Sequence, residues 1–430
     1  MSNSCVEIKK SKSDAIAYVK KGLFIGIGFS FGIMPLLIIA LFITKSKNIT
    51  PQFILDKAIS LVYTRDEKLP DEMAGNFTEI KNPYLESEYK FPSAIKEVTI
   101  KSVNELVKEV SKANVTKGNI ILSLESGTYT LKRTIDIRAD HIIITSKTGN
   151  PEDVIIQGTG MSKNSKVKNL IRVLGKNFVL SGITLQKSGH HLIQIAGEHD
   201  ADSPVIRNCI LLDAYQQMIK VSYNIAGTPE ISSDYGLIEN CTFQYTAGIG
   251  PHYYIGGIDA HGANGWLVRG NKFKDIASPS EQIAEHAVHF WNNTHNNIVE
   301  NNLIEDSDRG IGFGLDSKHE NLVYSNLGGE IKNNTIMHSD NNDPFADTGI
   351  VIERSPNTII SNNNIWLGHS YSRAIEYRFP LTKNVIIKGN VTNKSISSRN
   401  GGDAILEKNK TDANYEDILE NYINLKSSKH

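Results

Sequence analysis

From about residue 119 to residue 410 the chain alternates short β-branched runs with turns rich in Gly, Asn, Asp and Ser, and the runs recur with a common phase. NIILSLESGTYTL and TIDIRADHIIITS begin the series, and a two-residue apolar alternation of this kind predicts half-buried strands. One pattern then repeats: an apolar pair, two variable residues, Asn, one more residue and a further apolar residue. It occurs as VIRNCIL, LIENCTF, LVRGNKF, IVENNLI, EIKNNTI, IISNNNI and VIIKGNVT. Aligned on the apolar positions, one column reads Cys209, Cys241, Asn271, Asn302, Asn334, Asn363 and Asn390, with steps of 32, 30, 31, 32, 29 and 27 residues. A second column follows half a repeat later, with Ile219, Ile258, Val288, Ile311, Ile350, Ile375 and Ile405 as its apolar members. Strand segments that recur once per coil stack on themselves, so the expected fold is all-β, a parallel solenoid whose stacked Asn side chains bond along the axis.

Other elements frame this repeat. SVNELVKEVSKAN predicts a short helix, capped by Ser102 with Glu105 three residues on and an apolar stripe of Leu106, Val107 and Val110. Residues 45–93 are polar, carry scattered prolines and suit a stalk or linker. Residues 411–430 read as a cap or tail. Residues 22–44, GLFIGIGFSFGIMPLLIIALFIT, form an uncharged apolar run of bilayer-crossing length. The expectation is one transmembrane helix preceding the solenoid. Lysines cluster in the tail of residues 1–21, which predicts an N-terminus inside the cytoplasmic membrane and residues 45–430 outside it.

Composition narrows the function. Lys and Arg total 46 against 47 Asp and Glu, so a net charge of -1 supplies no general attraction to nucleic acid, and none is expected as a partner. Three cysteines, one of them Cys5, make no disulfide framework, and Cys209 with Cys241 is read as a pair of buried thiols that a bond between coils remains able to join. The Asn-x-Ser/Thr triplets fall within the structural column and are read that way rather than as glycosylation sites. Oligomeric state is not legible.

Strand alternation also nominates chemistry. With Ile258 facing in, Asp259 and His261 face out, the next coil presents His289 and Trp291, and Lys220 lies one coil before Asp259. Later coils add Glu353, Glu376 and Arg378. Steps of 39 residues from Ile219 to Ile258 and from Ile311 to Ile350 predict long flanking loops. The first carries His252, Tyr253 and Tyr254, whose rings suit stacking on sugars; the second carries Asp340, Asp343 and Asp347, which read first as turn residues and otherwise as oxygen ligands for Ca²⁺. No cofactor is required, and no metal ligands are assigned.

The whole of residues 94–410 resembles the right-handed, single-stranded parallel β-helix superfamily of pectate lyases, alginate and chondroitin lyases and mannuronan epimerases, with the helix at Ser102 matching its N-terminal capping helix. Gly257-Ile258-Asp259-Ala260-His261 is similar to the Asp-x-His element of mannuronan epimerases, where the His moves a proton. Ala260 and Gly262 stand where that family usually has Pro and a second Asp. The resemblance implies a groove for a sugar polymer along one sheet, with a uronate polymer as substrate.

Abstraction of the proton beside a uronate carboxylate needs a base, a charge neutraliser and an acid. His261 is the expected base with Asp259 beside it, Lys220 or Arg309 the neutraliser, and His289 or Tyr254 the acid; Tyr254, Trp291, Glu353, Glu376 and Arg378 are expected to bind substrate. Solvated residues, salt bridges and, for Glu285-His286 and His289-Phe290-Trp291, turn capping or aromatic packing are the competing readings. The paired carboxylates of a glycosidase are not found. The alternatives to a lyase or epimerase are a non-catalytic glycan-binding or envelope-scaffold protein and a trimeric, spike-like adhesin.

Overall fold

A computed structural model describes residues 82–427 except 93–94, 225, 227–229, 281, 317–322 and 340–344. Among them, the Asn repeat generates its own turn. In each coil the residue before the column position has a left-handed backbone: Asn208, Asn240, Gly270, Asn301, Asn333, Asn362 and Gly389, with φ between 50° and 64°. Asn and Gly tolerate that conformation at little steric cost, which explains the recurring Asn-Cys, Gly-Asn and Asn-Asn pairs. The second member of each pair turns inward and bonds to the next coil. Asn302 Oδ1 accepts from the backbone N–H and the Nδ2 of Asn271 at 3.0 Å each, while its own Nδ2 donates to Val268 O and Asn334 Oδ1. The ladder continues through Asn334, Asn363 and Asn390 and ends on Asn409. Each carboxamide of the ladder from Asn271 to Asn390 is therefore satisfied along the axis.

Cys241 Sγ takes the place of a carboxamide oxygen, accepting from the Cys209 N–H at 3.4 Å, and its own backbone N–H donates to Asn271 Oδ1. Both cysteines are buried free thiols, and burial pushes the Cys241 thiol well above its ordinary value.

Three long parallel sheets result, of 12, 10 and 10 described strands, with a fourth short one of 4. One coil runs through Val205–Arg207, Ile210–Ala214, Ile219–Ser222 and Ser233–Asp234 before rejoining the first sheet at Leu237–Glu239. The interior is a column of stacked apolar layers, including Phe243 on Phe273 at 4.5 Å between ring centres. Helix α1 (Val103–Val115) covers the N-terminal end, with Ser102 Oγ accepting from Glu105 N and Leu106, Val110 and Ala113 buried. Helix α2 (Tyr415–Ser427) brings Tyr415 against Trp366 near the other end.

Several expectations are corrected here. No helix among the described residues is long and apolar enough to cross a membrane, so the transmembrane helix and the single-pass inner-membrane location are not supported. The run at 22–44 on which both rested lies outside the described residues. Within the expected stalk, residues 82–92 lie on the first sheet. Its outer face carries a column of Ile143, Val179, Val205, Leu237 and Leu267, and Tyr84, Leu85 and Tyr89 cover it, while Asn82 Nδ2 donates to Gly236 O and Gly265 O. Ile405 does not continue the Ile219 column. The last coil has only short turns, so Ile396 already pairs with Ile375, and Ile405 pairs with Ile386 in the first sheet.

Candidate functional site

The second sheet aligns the predicted residues by register. Lys220, Asp259, His289 and Gly312 occupy one outward row, and His261 pairs with Trp291 in the next. Lys220 Nζ lies 2.5 Å from Asp259 Oδ2 and 2.7 Å from His261 Nε2. Trp291 Nε1 donates to Asp259 Oδ1 at 2.7 Å, and the His261 and Trp291 rings are 4.2 Å apart. Lys220, Asp259, His261 and Trp291 thus form one constellation drawn from three coils.

Depth separates their roles. Asp259 is only 3% exposed, roofed by its own partners, so it holds the others and does not face solvent. Burial pushes its carboxyl up, but the Lys220 ammonium beside it more than offsets this and holds it well below the usual carboxylate range. Lys220 and His261 keep 14% and 16% of their side chains exposed. A neutral imidazole has one lone pair, so His261 cannot accept from both the Lys220 ammonium and the Asn292 amide 3.0 Å from its Nδ1. The Lys220 ammonium has only protons to offer, which makes Nε2 the acceptor and Nδ1 the protonated nitrogen; Asn292 then presents its carboxamide oxygen, an orientation that hydrogen-bonding logic assigns.

Two further residues border the site that sequence reasoning passed over. Tyr223 follows the strand at Ser222, and its ring covers Gly262 so closely that a Cβ there would lie 2.3 Å from Tyr223 Cδ2. Asn293 Nδ2 donates to the Tyr223 hydroxyl at 2.9 Å. Beneath that ring the Asp that mannuronan epimerases usually carry at this position has no space. The consecutive left-handed residues Asn292 and Asn293 were legible only as a turn.

Other nominated residues stand apart. His289 is 1% exposed, with Nε2 bonded to Gly314 O at 3.0 Å, beneath the face rather than on it. Tyr254 is exposed in its loop, and no hydrogen bond or ring contact among the described residues joins it to His261. Arg309 faces Asp347, 3.6 Å away, and Asp347 also neighbours Arg378. Arg378 binds Glu353 at 2.8 Å and Glu376; Glu376 accepts from Tyr371 and Arg373 as well. These charges answer one another. Asp340 and Asp343 lie outside the described residues. Glu285, His286 and His289, of which the sequence nominated His289 as an acid with capping or packing as the competing reading for all three, converge so that their ligand atoms all lie within 4.8 Å of one another.

The fold so defined is a right-handed parallel β-helix. No protein-family model matches the sequence, and no curated protein matches it. Among solved structures, an alginate lyase from Paenibacillus sp. str. FPU-7 is similar at 13% identity and TM-score 0.50, over 74% of this chain and 99% of that one. The tailspike protein of E. coli bacteriophage HK620, in complex with a pentasaccharide, is similar at 11% identity and TM-score 0.50, over 72% of this chain and 62% of that one. At these identities the likeness is one of fold.

Proposed function

We propose that the face around Lys220, Asp259, His261 and Trp291 binds an acidic polysaccharide and acts on it by proton abstraction beside a uronate carboxylate, as a lyase or an epimerase. The observation that carries this reading is Lys220 Nζ bridging Asp259 and His261 at 2.5 and 2.7 Å with a tryptophan edge alongside. The two similar structures are named as an alginate lyase and as a tailspike holding a pentasaccharide, which supports a carbohydrate ligand.

In this mechanism the substrate carboxylate takes the Lys220 ammonium that His261 Nε2 otherwise accepts from. Binding thereby frees the Nε2 lone pair where the acidic carbon arrives. His261 takes the proton, and Lys220 stabilises the charge that accumulates on the carboxylate. Asp259 does not touch substrate; it holds Lys220 in place. In a lyase the electron pair then expels the glycosidic oxygen, which takes a proton from the protonated His261 or from water, leaving a carbon–carbon double bond conjugated with the carboxylate. In an epimerase a proton from water is added on the opposite face, and His261 returns its own to solvent.

The second reading is glycan binding without turnover, favoured by the tight Lys220–Asp259 pair, which also suits a structural role. Incubation with a panel of uronate polymers separates the readings. Ultraviolet absorbance of an unsaturated uronate marks a lyase, and solvent deuterium in the sugar without absorbance marks an epimerase. His261→Ala is expected to lower turnover by at least about 100-fold with polymer binding retained. Binding with neither signal in the intact chain leaves the non-catalytic reading, and absence of binding ends both.

A further inference from the structure

We infer that Glu285, His286 and His289 form a binding site for a divalent transition-metal ion of the Zn²⁺ class beneath the candidate polysaccharide site.

Three buried nitrogen atoms point to it. His286 is 3% exposed, and both its Nδ1 and Nε2 lack a hydrogen-bond partner; His289 Nδ1 is likewise buried and unpartnered. Leaving a buried polar group unsatisfied costs about 1–3 kcal/mol, so such a concentration within four residues needs a compensating ligand. The His289 tautomer is already set. Its Nε2–H donates to Gly314 O at 3.0 Å, which turns the lone pair of Nδ1 toward Glu285, the arrangement by which a backbone carbonyl fixes a ligating histidine.

Spacing fits an ion rather than a direct contact. Glu285 Oε2 lies 3.8 Å from His289 Nδ1, too far for a hydrogen bond. Two donors held about 2.1 Å from an ion at the tetrahedral angle lie about 3.4 Å apart, so this pair closes with a shift of a few tenths of an ångström, while the three ligand atoms together, all within 4.8 Å of one another, draw in by about 1.4 Å at most. Nitrogen ligands favour Zn²⁺, Co²⁺ or Ni²⁺ over Ca²⁺ or Mg²⁺. Glu285, with 35% of its side chain exposed, opens the fourth position toward solvent.

The surroundings accommodate the group. The His286 ring rests on Gly312, where a Cβ would lie 2.8 Å from Nε2, so glycine at that point of the sheet leaves room for the histidine. Arg309 and Arg378 face His286 electrostatically, but each has an acidic partner, Asp347 for the first and Glu353 with Glu376 for the second. His289 stacks on Trp291 with ring centres 5.5 Å apart and planes 11° from parallel. A bound ion would fix the histidine against the indole that donates to Asp259, making Glu285, His286 and His289 positioning residues for the face above.

Metal uptake tests this without any polysaccharide, so its failure leaves the proposed function untouched. The full chain, stripped with chelator and dialysed, is titrated with Co²⁺ and followed by visible absorption, then competed with Zn²⁺ and with Ca²⁺. One Co²⁺ per chain, displaced by Zn²⁺ and not by Ca²⁺, is expected. His289→Ala is expected to weaken binding by more than the roughly 10–100-fold that loss of a supporting partner costs, Glu285→Gln by at least about 10-fold, and the distant His141→Ala not at all. Circular dichroism checks folding, and the partly exposed Glu285 keeps the test decisive if His289→Ala does not fold. No stoichiometric uptake, or uptake unchanged in Glu285→Gln, overturns the site.

Discussion

Lys220 and Asp259 are 39 residues apart in the chain and 2.5 Å apart in space, because adjacent coils place them at the same register of one sheet. Removing the cation strands a buried carboxylate. Lys220→Met is expected to cost about 3–5 kcal/mol in urea unfolding, and adding Asp259→Asn to recover much of it. Without its cation, Asp259 has burial as the leading influence on its carboxyl, which pushes it up. In the single variant the contribution of that group is present below its unfolded-state value and lost as pH rises through the folded one, whereas the double variant lacks this contribution.

The carboxamide ladder makes a separate prediction about the fold. Asn302→Ala removes the acceptor for two Asn271 donors and the donors to Val268 O and Asn334 Oδ1. A loss of about 2–4 kcal/mol is expected by denaturant unfolding. An unchanged midpoint would mean that neighbouring coils relax and re-pair.

Acid is expected to weaken the later coils through Glu376. Burial pushes its carboxyl up, but Arg378, Tyr371 and Arg373 together hold it below its ordinary 4.5. A depressed folded-state value contributes stability that is present above the unfolded pKa and lost as pH falls through the folded one. Glu376→Gln should therefore be less stable at neutral pH and lose less on acidification; parallel curves for the two proteins would refute the assignment.

Two glycines give a controlled comparison. Gly248 and Gly262 both have positive φ, but a Cβ at 248 meets nothing within 4 Å and one at 262 meets the Tyr223 ring at 2.3 Å. Gly248→Ala should cost about 1–2 kcal/mol from the backbone alone. Gly262→Ala should cost more, and should alter the fluorescence of Trp291 if Tyr223 is displaced toward the site. Equal costs would mean that the tyrosine swings clear.

By itself the sequence determined most of what depends on period and direction. A repeat of near-constant length names the solenoid, the Asn column and the turn before it, and two-residue alternation puts Lys220, Asp259, His261, His289 and Trp291 on one outward face. It did not determine depth, because alternation says which side of a strand a residue takes and not what lies above it. Only the tertiary structure decided that Asp259 and His289 are roofed over, that Arg309 answers Asp347, and that residues 82–92 cover the first sheet. It likewise decided that the final coil is short, which moved Ile405 to another sheet, and that Tyr223 closes over Gly262. Those outcomes depend on loop paths and side-chain volumes between coils, which couple residues through space at separations that a local pattern does not encode.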